Sequence, residues 1–319
     1  MNIVTKRALV FPGQGSQVVG MGVDLAAAFP VAREVFEETD DALGQKLSGL
    51  MAEGPIETLT LTENAQPALL AMSVAVTRVL AKEGGFDLGA GAAYVAGHSL
   101  GEYSALAAAG TFALADAVRL VKRRGQAMQA AVPVGTGAMV ALLGVELETG
   151  LAIAKEASEA SGETCAVAND NGGGQLVLSG HKGAVEKAVA VAAEKGFKKA
   201  IMLPVSAPFH SPLMAPAADV MAEALGAIAM TVPAAPVVAN VSASAVRETE
   251  TIRTLLVNQV TGMVRWRETV LYLKEQGVTE IVELGAGKVL AGLVRRIDKD
   301  IATRSVGSPA DVEAFLATL

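Results

Sequence analysis

The chain has 319 residues, of which 51% are hydrophobic and only 4% aromatic, so its core must consist largely of aliphatic side chains and methionine. Its 26 basic and 33 acidic residues give a net charge of −7, which argues against a general affinity for nucleic acid. Cys165 is the single cysteine, which excludes an internal disulfide and a cysteine-based zinc site and fits a reducing compartment.

The apolar runs are too short for a membrane protein. The most apolar segment, residues 68–81, is interrupted by polar side chains, whereas a spanning helix needs roughly 20 apolar residues. Near the N-terminus, Lys6 and Arg7 are followed only by residues 8–11 before Pro12, which is too little for the apolar part of a signal peptide. We therefore expect a cytoplasmic protein with no membrane partner.

Short apolar runs alternate with longer segments of helical periodicity, a pattern typical of α/β proteins with a mainly parallel sheet. The periodicity predicts helices over residues 31–43 and 66–82, and Ser308 followed by Pro309 predicts the start of a last helix. The predicted core strands are residues 8–11, 93–96, 236–239 and 280–284.

A second unit is predicted inside the first. Residues 138–203 read as strand, helix, strand, strand, helix, strand, with a glycine-rich turn at residues 169–174 between the middle strands. This βαββαβ order is the ferredoxin-like pattern. We predict a hydrolase-like large subdomain of residues 1–133 and 205–319, and a ferredoxin-like small subdomain of residues 134–204 inserted between its two segments.

The clearest chemical signal lies at residues 97–101, which read Gly-His-Ser-Leu-Gly between the strand predicted over residues 93–96 and a helix predicted over residues 102–109. A G-x-S-x-G sequence in this context is typical of a nucleophile elbow, which would present the hydroxyl of Ser99 at a tight turn. The helix N-terminus would offer the backbone N–H of Leu100 to a developing oxyanion. The alternative is a glycine-rich turn in which the serine only caps the helix.

A serine nucleophile needs a base, and the chain has three histidines. His98 is next to the serine, and its side chain is expected to point away from the hydroxyl. His181 follows Ser179 at the start of a predicted helix and is expected at the surface. His210 follows the predicted insert and is preferred by elimination, although a lone loop histidine is more often structural.

Two further segments suggest ligand contacts. Residues 11–17 form a glycine loop after the first strand, and its backbone near Gln14 could supply a second oxyanion donor. A dinucleotide site is not predicted there, because Val18 replaces the third glycine of that motif. In the helix predicted over residues 113–130, Lys-Arg-Arg at 122–124 has apolar neighbours, so at least one arginine must face inward, where a substrate carboxylate would be a suitable partner.

Distinctive motifs occur along the whole chain. They are Phe-Pro-Gly-Gln-Gly-Ser-Gln from residue 11, Gly-His-Ser-Leu-Gly-Glu-Tyr from residue 97, Arg-Gly at 124–125, Phe-His-Ser at 209–211 and Asn-Gln at 258–259. Together they resemble the malonyl-CoA:acyl carrier protein transacylases of fatty-acid synthesis. The resemblance implies that Ser99 accepts malonyl from malonyl-CoA and passes it to the phosphopantetheine thiol of acyl carrier protein, with ping-pong kinetics.

The resemblance also implies roles for the other site residues. His210 would be the general base and acid, and the backbone N–H groups of Gln14 and Leu100 would form the oxyanion hole. Arg124 would bind the free malonyl carboxylate, and Gln259 would orient the histidine through its backbone carbonyl.

The remaining substrate-binding candidates are His98, Phe209 and an asparagine, either Asn169 or Asn171. The bulk of Phe209 argues against methylmalonyl as the main substrate. Neither a metal nor a cofactor is implied, and the partners expected are malonyl-CoA and acyl carrier protein, bound by a monomer. Because carrier proteins are generally acidic, the candidate docking residues are basic: Lys198, Lys199, Arg295 and Arg296.

Two other functions remain open from the sequence. An α/β-hydrolase esterase would use Ser99 and His210 with an acidic third residue and would need no arginine beside the nucleophile. A non-catalytic module that docks or scaffolds acyl carrier protein would keep the fold without needing the serine.

Overall fold

The computed structural model describes residues 6–205 and 207–319. The strands in this part of the chain are β1 (Arg7–Phe11), β2 (Tyr94–Gly97), β3 (Gly137–Leu143), β4 (Cys165–Asp170), β5 (Gln175–His181), β6 (Ala200–Met202), β7 (Val237–Val238), β8 (Ala245–Val246), β9 (Glu280–Leu284) and β10 (Ala302–Val306). The helices are α1 (Val23–Ala28), α2 (Pro30–Leu43), α3 (Leu47–Glu53), α4 (Ile56–Thr60), α5 (Thr62–Gly84), α6 (Leu88–Gly91), α7 (Leu100–Ala108), α8 (Leu114–Ala130), α9 (Leu147–Ser161), α10 (Lys182–Glu194), α11 (Ala215–Gly226), α12 (Thr249–Thr261), α13 (Trp266–Glu275), α14 (Val289–Ile297) and α15 (Pro309–Leu316), with a 3₁₀ turn at Pro212–Met214.

The larger sheet has the order β10-β9-β1-β2-β7-β8, and every pair in it is parallel except β7 with β8. The four predicted core strands are confirmed as β1, β2, β7 and β9. The strands at the two sheet edges, β8 and β10, were not predicted from the sequence. In β10 only Val306 is buried, because an edge strand has one solvated flank and so lacks the continuous apolar run of a central strand.

The smaller sheet has the order β4-β5-β3-β6, and all of its pairs are antiparallel. Helices α9 and α10 pack against it through their own apolar cluster, separate from the core of the larger sheet. The element order from β3 to β6 is therefore βαββαβ, as the sequence predicts. The mixed α/β fold class, with one mainly parallel and one antiparallel sheet, is confirmed.

One predicted turn is wrong in its extent. Asn169 and Asp170 belong to β4, where they pair with β5 beyond a bulge after Val167, so the turn covers only residues 171–174. Main-chain hydrogen bonds explain the extension, because Val264 lies beside the strand and exchanges bonds with Ala168 (2.9 Å) and Asp170 (3.0 Å). These bonds tie the smaller sheet to the larger unit and hold Asn169 beside it.

The buried helix α5 and the amphipathic helix α8 pack closely across the larger unit. A Cβ atom on Gly125 would lie 2.7 Å from the Thr62 carbonyl oxygen, so only glycine allows this approach. The contact sets the residue before it, Arg124, against α5. Within residues 6–205 and 207–319, each helix is too short or too polar to span a bilayer.

Candidate active site

Ser99 occupies the sharp turn between β2 and α7, with φ 53° and ψ −106°. Positive φ is uncommon and strained for a residue with a side chain, and here it turns the hydroxyl out of the strand-to-helix connection. The flanking glycines are required by contact: a Cβ on Gly97 would lie 1.9 Å from the carbonyl carbon of Gly101, and one on Gly101 would lie 2.0 Å from the carbonyl oxygen of Phe11. The sequence therefore places the serine on a turn that only this glycine spacing permits.

The imidazole of His210 lies beside this hydroxyl, with Nε2 2.7 Å from Ser99 Oγ. On its other side, Nδ1 lies 2.9 Å from the carbonyl oxygen of Gln259 and 3.1 Å from that of Gly262. Carbonyls only accept hydrogen bonds, so Nδ1 carries the proton and donates it, and Nε2 is left to accept from the serine. This tautomer is the one that a general base needs.

Burial is the main reason that the pKa of His210 falls to about 3, and the positive charge of Arg124 adds to the effect. The ring is therefore neutral at physiological pH. The two carbonyls that hold it lie in the last turn of α12 and just beyond it, where helix carbonyls lack partners within the helix. They also form the negative end of the helix dipole, which stabilises the ring whenever it gains a proton.

Of the three consecutive basic residues at 122–124, Arg124 points inward and is only 1% exposed, whereas Arg123 is exposed and pairs with Glu223. Arg124 Nη1 donates to the side-chain oxygen of Gln66 (2.8 Å). Its Nη2 donates to Gln259 Oε1 (2.9 Å) and Ser99 Oγ (3.1 Å). No carboxylate in the described part of the chain forms an ion pair with this guanidinium, so a buried cation faces the serine with neutral partners only.

The two expected oxyanion donors border the same space. Leu100 is the first residue of α7, so its N–H has no acceptor within the helix. Gln14 lies in the loop after β1, where its side-chain oxygen accepts a bond from Thr62 Oγ1 (2.9 Å). Both residues line the cavity into which Ser99 faces.

This cavity has a volume of about 260 Å³ and opens into an adjoining groove of about 390 Å³. The predicted site residues that line it are Gln14, His98, Ser99, Leu100, Arg124, Asn169, Phe209 and His210. Asn171 does not line it and instead places its Oδ1 2.8 Å from His98 Nε2. Of the two asparagines that the sequence left as alternatives, Asn169 thus faces the cavity, and Asn171 contacts His98.

The third histidine, His181, lies outside this cavity at the end of β5, where its Nδ1 accepts a hydrogen bond from the backbone N–H of Thr164 (3.1 Å). The basic candidates Lys198, Lys199, Arg295 and Arg296 are all exposed. Among the described residues, no group of three or more His, Cys, Asp or Glu side chains is arranged to hold a metal ion.

Sequence reasoning missed three residues of the site: Gln66, Glu102 and Asn240. Asn240 accepts from the Ser99 N–H (2.7 Å) and donates to the Gly97 carbonyl (2.6 Å), so its side chain braces the elbow. The sequence did contain a signal for Asn240, because this residue directly follows the strand predicted over residues 236–239. Ligands bind at the carboxyl ends of the strands in α/β sheets. Glu102 was also conspicuous, as a lone charge in an apolar helical segment, whereas Gln66 gave no signal beyond its polarity.

Comparison with known proteins places the chain in a family. The sequence of residues 8–310 matches the family model for the acyl transferase domain. The malonyl CoA-acyl carrier protein transacylase of Escherichia coli K12 is 46% identical, over 98% of this chain and 99% of the relative.

Among solved structures, an acyl-carrier-protein S-malonyltransferase from Bartonella henselae is 53% identical, with a TM-score of 0.95 over 98% of this chain and 99% of that one. A malonyl-transacylase in complex with a type II PKS acyl-carrier protein is 44% identical, with a TM-score of 0.94 over 99% of this chain and 100% of that one. The chain therefore belongs to the malonyl CoA-acyl carrier protein transacylases, a family of acyltransferases.

Proposed function

We propose that this acyltransferase moves malonyl from malonyl-CoA to the phosphopantetheine thiol of acyl carrier protein through a malonyl ester of Ser99, and so supplies malonyl-carrier protein for fatty-acid synthesis. The observation that carries the proposal is that one hydroxyl lies between a base and a buried cation. Ser99 Oγ is 2.7 Å from His210 Nε2 and 3.1 Å from Arg124 Nη2. The base activates the nucleophile, and the guanidinium lies close enough to bind the acid group of an acyl chain carried by the serine.

In the loading half-reaction, Ser99 Oγ attacks the thioester carbonyl carbon while its proton passes to His210 Nε2. The carbonyl oxygen becomes an oxyanion, which accepts hydrogen bonds from the N–H groups of Leu100 and Gln14. When the intermediate collapses, the carbon–sulfur bond breaks and the coenzyme A thiolate takes the proton from Nε2. The enzyme is left with a malonyl ester on the serine and a neutral imidazole.

The transfer half-reaction runs the same steps with a different thiol. The phosphopantetheine S–H gives its proton to His210 Nε2 as sulfur attacks the ester carbonyl. The ester carbon–oxygen bond then breaks, and Ser99 Oγ recovers the proton. One site serves both thioesters in turn, which gives ping-pong kinetics. Because the chemistry is thioester and ester exchange, it needs neither a metal nor a prosthetic group.

Arg124 selects the acyl group by pairing with the free malonyl carboxylate, for which a guanidinium offers two parallel N–H donors. The ion pair also keeps the loaded acyl group oriented away from water. Phe209 lines the cavity beside the base and crowds an α-methyl group, which disfavours methylmalonyl. His98 and Asn169 complete the lining around the acyl group.

The same proposal includes the partners and the division of the chain. Residues 1–133 with 205–319 and residues 134–204 form the two subdomains, supported by their separate apolar cores, and the acyl cavity lies between them. The enzyme acts as a cytoplasmic monomer. The acidic carrier protein docks on exposed basic side chains among Lys198, Lys199, Arg295 and Arg296.

Mass spectrometry of the intact protein after incubation with malonyl-CoA tests the proposal. We expect one malonyl adduct that the Ser99→Ala variant does not form and that disappears when the holo carrier protein is added. The control is Ser104→Ala, a buried serine of α7 that does not line the cavity. An adduct that survives in Ser99→Ala, or none in the unaltered protein, overturns the proposal.

A further inference from the structure

Helix α7 carries a buried carboxylate that the proposed mechanism does not use. Glu102 is 1% exposed and lies one turn after the nucleophile, in a helix whose other buried residues are mostly apolar. Burial raises the pKa of this carboxyl to about 7, although its hydrogen bonds and the charge of Arg124 lower the pKa in part. A buried carboxyl is costly unless it is paired and hydrogen-bonded, so its bonds indicate what it does.

Two donors converge on one oxygen of this carboxylate. Glu102 Oε2 accepts from Gln259 Nε2 at 2.8 Å and from the backbone N–H of Asn240 at 2.9 Å. Gln259 Nε2 also donates to the Ser99 carbonyl (3.0 Å), and its Oε1 accepts from Arg124 Nη2 (2.9 Å). One amide group therefore connects the buried acid with the buried arginine.

The chemistry of the two ions fixes which way that amide faces. A guanidinium only donates hydrogen bonds, and a carboxylate only accepts them, so the amide must turn its oxygen to Arg124 and its nitrogen to Glu102. If Gln259 rotated by half a turn, its nitrogen would face the Nη2 donors and its oxygen would face the carboxylate. Both contacts would become repulsive, so the acid holds Gln259 in the orientation in which it supports the arginine.

We propose that Glu102 is a positioning residue that acts through the Gln259 amide to hold the Arg124 guanidinium where the acyl carboxylate binds. The inference rests on the proposed function, because it assigns that arginine to the malonyl carboxylate. The proposed role of Glu102 depends on a hydrogen-bond acceptor at a fixed place, and not on the negative charge. Protonation of the other oxygen, Oε1, leaves Oε2 free to accept both bonds.

Two substitutions separate the acceptor from the charge. Glu102→Gln keeps an oxygen at the same distance along the chain and removes the charge. Glu102→Asp keeps the charge but withdraws the acceptor by about 1.5 Å, the length of one C–C bond, which takes it out of hydrogen-bond range of Gln259 Nε2. The measured quantity is the ratio of kcat/KM for loading from malonyl-CoA to that from acetyl-CoA, which carries no carboxylate for the arginine.

We expect Glu102→Gln to retain the malonyl-to-acetyl ratio within about threefold, and Glu102→Asp to lower it by about tenfold or more, the typical effect of losing a hydrogen bond to a charged group. A ratio that falls in Glu102→Gln as far as in Glu102→Asp overturns the proposal, as does a ratio unchanged in both. Preservation by aspartate with loss in glutamine would show that the charge matters instead.

The control pair is Glu283→Gln and Glu283→Asp. Glu283 is 0% exposed and accepts two backbone N–H bonds, from Leu290 (3.1 Å) and Ala291 (2.9 Å), but does not line the acyl cavity. These variants test the cost of altering a buried glutamate elsewhere, and we expect them to leave the ratio unchanged. Failure of the proposed function is distinct, since the unaltered enzyme would then form no malonyl ester at all.

Discussion

Replacement of Arg124 by alanine separates acyl selection from catalysis. The guanidinium is 1% exposed, forms no ion pair with a carboxylate of the described residues and donates to the nucleophile, so under the proposed function the malonyl carboxylate is the anion that pairs with it. Acetyl-CoA has no such carboxylate. The substitution should therefore weaken malonyl loading strongly, while acetyl loading is spared or rises because Ser99 Oγ loses a competing contact.

The magnitude follows from the two N–H donors that a carboxylate would occupy. Each hydrogen bond to a charged group contributes about 1.5–3 kcal/mol, so losing two costs about 3–6 kcal/mol of binding in the transition state. At about 1.4 kcal/mol for each factor of ten, kcat/KM for malonyl-CoA should fall by about 10²- to 10⁴-fold. Alanine also leaves the side-chain oxygens of Gln66 and Gln259 without this donor, which lowers stability but acts equally on both acyl donors.

The assay is the rate of acyl-enzyme formation with each thioester, followed by mass spectrometry over a range of concentrations. Arg123→Ala is the matched control, because the neighbouring side chain is exposed and pairs with Glu223 at the surface. It should change neither rate. An equal loss of malonyl and acetyl loading in Arg124→Ala would refute the assignment, since the arginine would then support the nucleophile or the fold rather than select the acyl group.

Three further outcomes are expected. Because the pKa of His210 is lowered to about 3, the rate of malonyl loading measured between pH 5 and 8 should show no titration near pH 6.5, and a titration centred there would contradict the buried geometry. The contribution of His210 to stability should decline as the pH falls below 6.5, since the unfolded chain then binds a proton that the folded ring does not. Asn240→Ala removes the acceptor of the Ser99 N–H and should lower kcat by about tenfold with little change in KM, measured by steady-state kinetics, whereas a pure KM effect would place Asn240 in substrate binding. Gly101→Ala puts a Cβ 2.0 Å from the Phe11 carbonyl oxygen and should lower the free energy of unfolding, measured with denaturant, by several kcal/mol. Gly226→Ala, with no atom within 4 Å of its Cβ, should be neutral or stabilising, and similar denaturation midpoints for the two variants would contradict the close approach at Gly101.

Features with a local cause were predictable from the sequence. The central strands are recognisable because burial on both faces makes them continuously apolar, and the elbow because its turn requires Gly97 and Gly101. The edge strand β10 was not predictable in this way, since its pairing with β9 decides its conformation more than its own composition does. The place of Asn169 likewise depends on Val264, which is far away in the chain.

The site was predictable to the extent that its residues lie in motifs. Ser99 and Leu100 follow from the elbow, and one inward-facing arginine follows from its apolar neighbours. The connections between them did not follow, because the amide of Gln259 on α12 meets Arg124 on α8 and Glu102 on α7 only in the folded chain. Hydrogen bonds across 135 and 157 residues of chain leave no local trace in the sequence.

The carbonyls behind His210 offer a physical reason for transfer in preference to hydrolysis. A carboxylate in their place would raise the pKa of the ring by direct attraction, as in a hydrolase triad. With neutral carbonyls and the nearby charge of Arg124, the ring is a weak base, with a pKa of about 3. A thiol, with a pKa of about 8.5, needs far less assistance from a base than water, with a pKa of about 15.7. In the proposed mechanism the acyl-serine therefore reacts with the carrier thiol much more readily than with water. The end of α12 contributes to that preference because it places neutral carbonyls, and not a carboxylate, beside Nδ1.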